Sequence, residues 1–148
     1  MCRNFLAQLR EQVDTIQNKG VSIIAVVPAD SDQIKQFLKV YGPYPYKILG
    51  DPNLNAYKEL PLKRVSIVKS VKIMSQYLFA GRIREIFPKD PEQMKIVKNA
   101  MFRQDVYQLG GTWLIDTSGE ILWQHIDLEP ADHATIPTIL HVIDEFIR

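Results

Sequence analysis

Apolar positions recur at helical spacing at the start of the chain. Phe5, Leu6, Leu9, Val13 and Ile16 fall on one stripe, with Arg10, Glu11 and Asp14 off it. This predicts a first helix, closed by Gly20 just past its end. Val21 to Val27 is a nearly continuous β-branched run, which predicts a strand buried on both faces. Pro28 stops it. Asp30, with Gln33 three residues on, reads as a capping box opening a second helix. Its inward stripe is Ile34, Phe37, Leu38 and Tyr41. Gly42-Pro43-Tyr44-Pro45 breaks it.

Tyr46 to Leu49 reads as a short extended segment. Asp51-Pro52 reads as the opening of a helical turn, with Pro52 at its first position and Ala56, Tyr57 and Leu60 on its apolar side. Two helices are expected next. One spans Val65 to Leu78 and stops before Gly81; the other spans Pro91 to Arg103, with Met94, Val97 and Met101 inward. Thr112–Asp116 and Glu120–His125 flank Thr117-Ser118-Gly119, the pattern of an antiparallel hairpin with glycine where φ is positive. A last helix is expected from His133 to Ile147, with Ile136, Ile139, Leu140, Ile143 and Phe146 as its stripe. The order is α-β-α-(short β)-α-α-β-β-α.

The 148 residues suit one domain, taken as 1–148 with a helical insertion at about 62–108. The apolar share of 46% is enough for a real core. The net charge of +1 argues against a nucleic-acid-binding face spanning the whole domain. That balance conceals a gradient: residues 61–110 carry a net +6 and residues 111–148 a net −6. Lys63, Arg64, Lys69, Lys72, Arg82 and Arg84 occupy a stretch with no acidic residue. It reads either as the solvated face of an insertion helix or as an amphipathic lid; membrane contact is disfavoured. No run is long and apolar enough to span a bilayer, and the default compartment is cytoplasmic. A single cysteine excludes an intramolecular disulfide and a thiolate zinc cage. His125, His133 and His141 lack metal-pair spacing and read as surface or helix-end residues. No metal or cofactor is expected; P-loop, dinucleotide and Ser/His/Asp signatures are missing.

Cys2 is the principal chemical candidate. A thiol at a helix N-terminus meets the positive end of the helix dipole, and Arg3 adds charge beside it. Both favour the thiolate, the form that attacks a peroxide or a disulfide. The alternative is an ordinary terminal thiol.

Five stretches taken together give the chain a resemblance to a known group: Cys2-Arg3-Asn4-Phe5-Leu6; Val21 to Pro28; Ile48-Leu49-Gly50-Asp51-Pro52; Leu109-Gly110-Gly111-Thr112-Trp113; and Ile115 to Ile121. The Ala131-Asp132-His133 entry to the last helix also fits. In this order they resemble the peroxiredoxin-like branch of the AhpC/TSA superfamily. The resemblance implies a thioredoxin-like α/β three-layer sandwich with a mixed sheet of three to five strands. In it, Cys2 matches the second cysteine of a Cys-x-x-Cys turn, and Gly110, Gly111 and Thr112 match the backbone loop that lies against substrate. Gln108 stands near where an arginine is common in peroxiredoxins. The first cysteine and the strand carrying it have no counterpart, so the expectation is a truncated chain or a gap filled by a second copy through strand exchange, as a homodimer. The implied activity is reduction of a hydroperoxide or an oxidised thiol, with an external thiol donor of thioredoxin or glutathione type. Some relatives act on prostaglandin-type endoperoxides, which implies a small peroxide, including a lipid peroxide, as substrate. The alternative is a redox-inactive binding module.

Overall fold

The computed structural model describes residues 2–81, 87–103 and 108–147. Helix α1 spans Cys2–Glu11 and α2 spans Val13–Asn18. The first stripe is therefore carried by two short helices with a break at Gln12, and its apolar positions still face one core. Gly20 closes α2 with φ at +80°. Its N–H donates to the Gln17 carbonyl and that of Val21 to the Ile16 carbonyl, a Schellman arrangement that satisfies two terminal carbonyls.

Strand β1 covers only Ile24–Val27 and pairs in parallel with β2, Lys47–Gly50. Between them runs α3, Ser31–Tyr41. The Asp30 side chain accepts from the N–H groups of Asp32 and Gln33, and the Gln33 side chain accepts from the Asp30 N–H, which completes the capping box. Two expectations fail here. None of the α3 stripe is fully buried. Ile24 and Val26 are exposed, so β1 is not covered on both faces. The common reason is that β1 has a strand on one side only among the described residues, so nothing closes over that part of the core.

Helix α4 spans Asn55–Glu59, later than expected. Pro52 lies in the preceding turn. The buried Asp51 carboxylate accepts from the N–H groups of Asn55 and Ala56, and Leu54 takes a left-handed conformation to bring them within reach. Helix α5 spans Ile67–Phe79 and α6 spans Pro91–Arg103; α6 packs against α3. Arg82 and Arg84, and the side chains of Cys2, Lys69, Tyr77 and Met101, lie outside the described residues.

Strands β3, Gly111–Ile115, and β4, Ile121–Ile126, form the expected hairpin, and Gly119 has φ at +92°. Asp116 holds its turn. Its carboxylate accepts from the Ser118 hydroxyl and from the N–H groups of Ser118 and Glu120, and the Ser118 hydrogen bond in particular keeps its pKa low. Helix α7 is shorter than expected, Ile136–Phe146, with Thr135 as N-cap. His133 therefore lies in the loop ahead of α7 and does not share a helix with His141.

The core forms where α1, α2, β3 and α7 meet. Ile16 and Ile143 are its most enclosed apolar side chains, joined by Leu9, Leu114, Ile139 and Val142. Truncating either isoleucine to alanine removes about 2–5 kcal/mol. Lys19 pairs with Asp144 across the exposed rim of the same contact.

Among the described residues the strands form two two-stranded sheets, β1-β2 and β3-β4, and not the single mixed sheet expected. Residues of β1 and β3 both line one cleft of about 1200 Å³. Backbone groups on the unpaired edges of these strands have no ladder partner among the described residues.

Candidate functional site

The cleft gathers several of the residues singled out in the sequence. Arg3 of α1 and the Gly110-Gly111-Thr112 segment at the start of β3 both line it. Helix α1 begins at Cys2 among the described residues.

Arg3 is already engaged. Its guanidinium donates to the Tyr41 hydroxyl at 3.0 Å and lies over the Tyr41 ring, 5.2 Å from the centroid. One face of α1 repeats the device two turns on. Arg10 donates to the Tyr41 carbonyl at 3.0 Å and lies over the Tyr44 ring. Phe37, Tyr41, Tyr44 and Tyr46 form a connected aromatic group beneath these cations. The Tyr46 hydroxyl donates to the Leu6 carbonyl at 2.6 Å. Burial, reinforced by Tyr44, pushes the Tyr46 pKa up to about 12 against a smaller opposing effect of Arg10. Burial likewise raises that of Tyr44, opposed by Arg10 and Arg3. This group fixes α1 against α3 and the loop that follows it.

The two glycines have packing reasons of their own. A Cβ on Gly111 would stand 2.6 Å from the Trp113 ring and 2.7 Å from the His125 carbonyl. One on Gly110 would stand 3.4 Å from the Asp127 carboxylate. The Asp127 N–H also donates to the Gly110 carbonyl. The glycines thus admit neighbouring protein groups as well as leaving backbone open to the cleft. Gln108 is tied to backbone, donating to the carbonyls of Lys63 and Leu109.

Asp127 stands outside the expected site residues. It is 2% exposed and lines the cleft. His133, read as a helix-end or surface residue, lines the cleft too and places Nδ1 2.8 Å from Asp127 Oδ2. Its ring stacks on Phe5 of α1, with centroids 4.9 Å apart. His125 stands beside them: its Nε2 is 2.8 Å from the Asp132 carbonyl and 3.8 Å from Asp127 Oδ1. The density of His125, Asp127, Asp132 and His133 within nine residues was the available signal. Among the described residues, no three potential ligands converge as a metal site, and no helix is long and apolar enough to cross a membrane.

An α/β chain whose first helix begins at Cys2, with Arg3 lining a cleft between strands, has elements of a thioredoxin-like fold. The family comparison places it further. Residues 8–129 match the model of the AhpC/TSA antioxidant enzyme family, and the chain belongs to that peroxiredoxin-like, thioredoxin-fold family. The family fold is α/β and thioredoxin-like. The chain is 26% identical over 150 residues to Peroxiredoxin-like 2C of Takifugu rubripes, covering 95% of this chain and 63% of the relative. To the proteins of the same name from Bos taurus and Homo sapiens it is 26% and 25% identical, covering 97% of this chain and 62% of each relative. It thus spans under two thirds of the length of these relatives. No solved structure matches it.

Proposed function

We propose that this is a thiol-dependent redox protein that reduces a small hydroperoxide or an oxidised thiol at Cys2, drawing electrons from an external thiol of thioredoxin or glutathione type. The observation that carries the reading is the start of α1 at Cys2, with Arg3 and the Gly110-Gly111-Thr112 segment lining one cleft. The helix dipole supports the thiolate. The thiolate attacks the terminal peroxide oxygen; an S–O bond forms as the O–O bond breaks, and the alkoxide leaves as an alcohol. The resulting sulfenic acid condenses with a donor thiol, releasing water, and a second donor thiol returns Cys2 to its reduced form. The family supports redox chemistry; the particular substrate and donor are part of the proposal.

A coupled assay with hydroperoxide, and with thioredoxin or glutathione as reductant, tests it on the wild type and on Cys2→Ser. Turnover in the wild type that disappears in Cys2→Ser is the expected result. Equal background rates in both would overturn it.

The cleft favours a second reading, a binding module. Among the described residues β1 and β3 each have a strand partner on one side only, and apolar side chains such as Val26 and Ile115 line the space between them. An extended segment inserted there would pair with edge backbone groups of both strands, displacing the Tyr57 hydroxyl from the Val26 carbonyl, and complete a mixed-sheet sandwich. Light scattering detects one source of such a segment, a second copy: a concentration-dependent dimer supports strand exchange, and a monomer at all concentrations removes it.

A further inference from the structure

Helix α5, Ile67–Phe79, stands apart from the rest of the fold. None of the main helix and strand contacts among the described residues involves it. Three of its apolar side chains are open to solvent: Val71 at 65%, Leu78 at 61% and Phe79 at 89% exposure. Single exposed apolar side chains are ordinary on a protein surface. Three on one helix, two of them adjacent at its end, form a patch. A short helix holds its shape mainly by burying an apolar face, and α5 leaves these three uncovered.

The positions are ordered along the helix. Val71 and Leu78 are seven residues apart and so share a face; Lys72 and Phe79 have the same spacing and share the adjoining flank. Lys72 is exposed as well. A lysine at the edge of an apolar face can lay its methylene stem along that face and hold its ammonium at the level of polar headgroups. Gly81, with φ at +67°, ends the helix just beyond Phe79, and its N–H donates to the Leu78 carbonyl.

Charge narrows the choice of occupant. Lys63, Arg64, Lys69, Lys72, Arg82 and Arg84 are the charged residues between 61 and 84, and all are basic. An apolar patch within unbalanced positive charge fits a surface that is apolar inside and anionic outside. A second copy of the chain brings the same positive charge to the contact and is repelled. Residues 111–148 carry a net −6, so an anionic surface also repels the far end of the sequence and turns the basic stretch toward itself.

We propose that α5 docks this protein on anionic membrane surfaces. It lies in the plane of the bilayer, with Val71, Leu78 and Phe79 entering the acyl boundary and Lys72 at the headgroups. The helix lies on the membrane and does not cross it: thirteen residues rise about 20 Å, short of a hydrocarbon core of about 30 Å. Sequence alone disfavours membrane contact because spacing does not show which apolar residues stay uncovered. Val71 also borders the cleft, so docking brings an edge of the cleft to the lipid surface. The contact is independent of Cys2 and of the redox reading.

Co-sedimentation of the full chain with vesicles tests it, comparing phosphatidylcholine alone with phosphatidylcholine carrying about one third phosphatidylserine. Binding to the anionic vesicles should be about tenfold stronger or more, and should weaken as salt rises. Leu78→Ser with Phe79→Ser should lower it by at least about tenfold, and Lys72→Glu by about tenfold. These side chains are exposed, so the variants keep the fold. Leu128→Ser, also at an exposed apolar position but in the acidic stretch, should bind like the wild type. Bromine-labelled lipid should quench Phe79→Trp beyond the level that Trp113 and Trp123 give in the wild type. No binding to anionic vesicles at low salt, equal binding by the wild type and the double serine variant, or an unquenched Phe79→Trp would overturn the proposal. So would a dimer in solution that the double serine variant converts to monomer, because a second copy then covers the face.

Discussion

His133 Nδ1 lies 2.8 Å from Oδ2 of Asp127, joining the loop before α7 to the end of β4 within the wall of the cleft. Because Asp127 is buried, Asp127→Ala removes this bond and leaves a cavity beside the imidazole. The expected cost is about 2–3 kcal/mol. Urea unfolding checks it; a change below about 0.5 kcal/mol would mean that the pair adds little to stability.

Tyr46 gives a prediction at high pH. Its folded pKa of about 12 lies above the ordinary tyrosine value, so the folded chain keeps the proton longer than the unfolded chain. The associated stability is complete below about pH 10 and is lost as pH rises through about 12. Tyrosinate absorbance at 295 nm should show one late-titrating tyrosine that disappears in Tyr46→Phe. At neutral pH that variant loses the bond to the Leu6 carbonyl, costing about 1 kcal/mol.

Asp51 tests the entry to α4. Its carboxylate accepts from two helix N–H groups, so Asp51→Ala should cost about 1 kcal/mol, and Asp51→Asn less. The amides of Asn55 and Ala56 should exchange with deuterium faster in Asp51→Ala. Unchanged exchange at both would remove the capping role.

Gly111→Ala places a methyl group against the Trp113 ring and the His125 carbonyl. Overpacking of this kind costs about 1–3 kcal/mol. Trp113 should move, which a change in fluorescence maximum would report. Wild-type fluorescence with unaltered stability would show that the ring yields freely.

The charge on Asp116 gives a prediction at low pH. Its folded pKa is lowered chiefly by the Ser118 hydroxyl, so its contribution is present above the ordinary carboxylate range and is lost as pH falls through the lowered value. The Ser118 and Glu120 amide signals should titrate together at that lower pH. In Ser118→Ala the midpoint should rise.

The sequence by itself determined what neighbours along the chain decide. The Asp30–Gln33 box, the Gly20 close of α2, the Gly119 turn and the bounds of α6 each depend on contacts within a few residues, so local pattern was enough. The family resemblance was legible for the same reason, because it lies in short runs of fixed order. Tertiary structure alone decided the rest. Ile24 and Val26 carry the signature of a buried strand, yet they are exposed because burial depends on a neighbouring strand, which no β-branched run reveals. Arg3 reads as a free cation beside Cys2, but its hydrogen-bond partner Tyr41 lies 38 residues away. His133 reads as a helix-end residue until the chain brings the Asp127 carboxylate to one side of its ring system and Phe5 to its face. A local pattern records which groups a residue can offer; only the fold determines which of them meet out of reach of water.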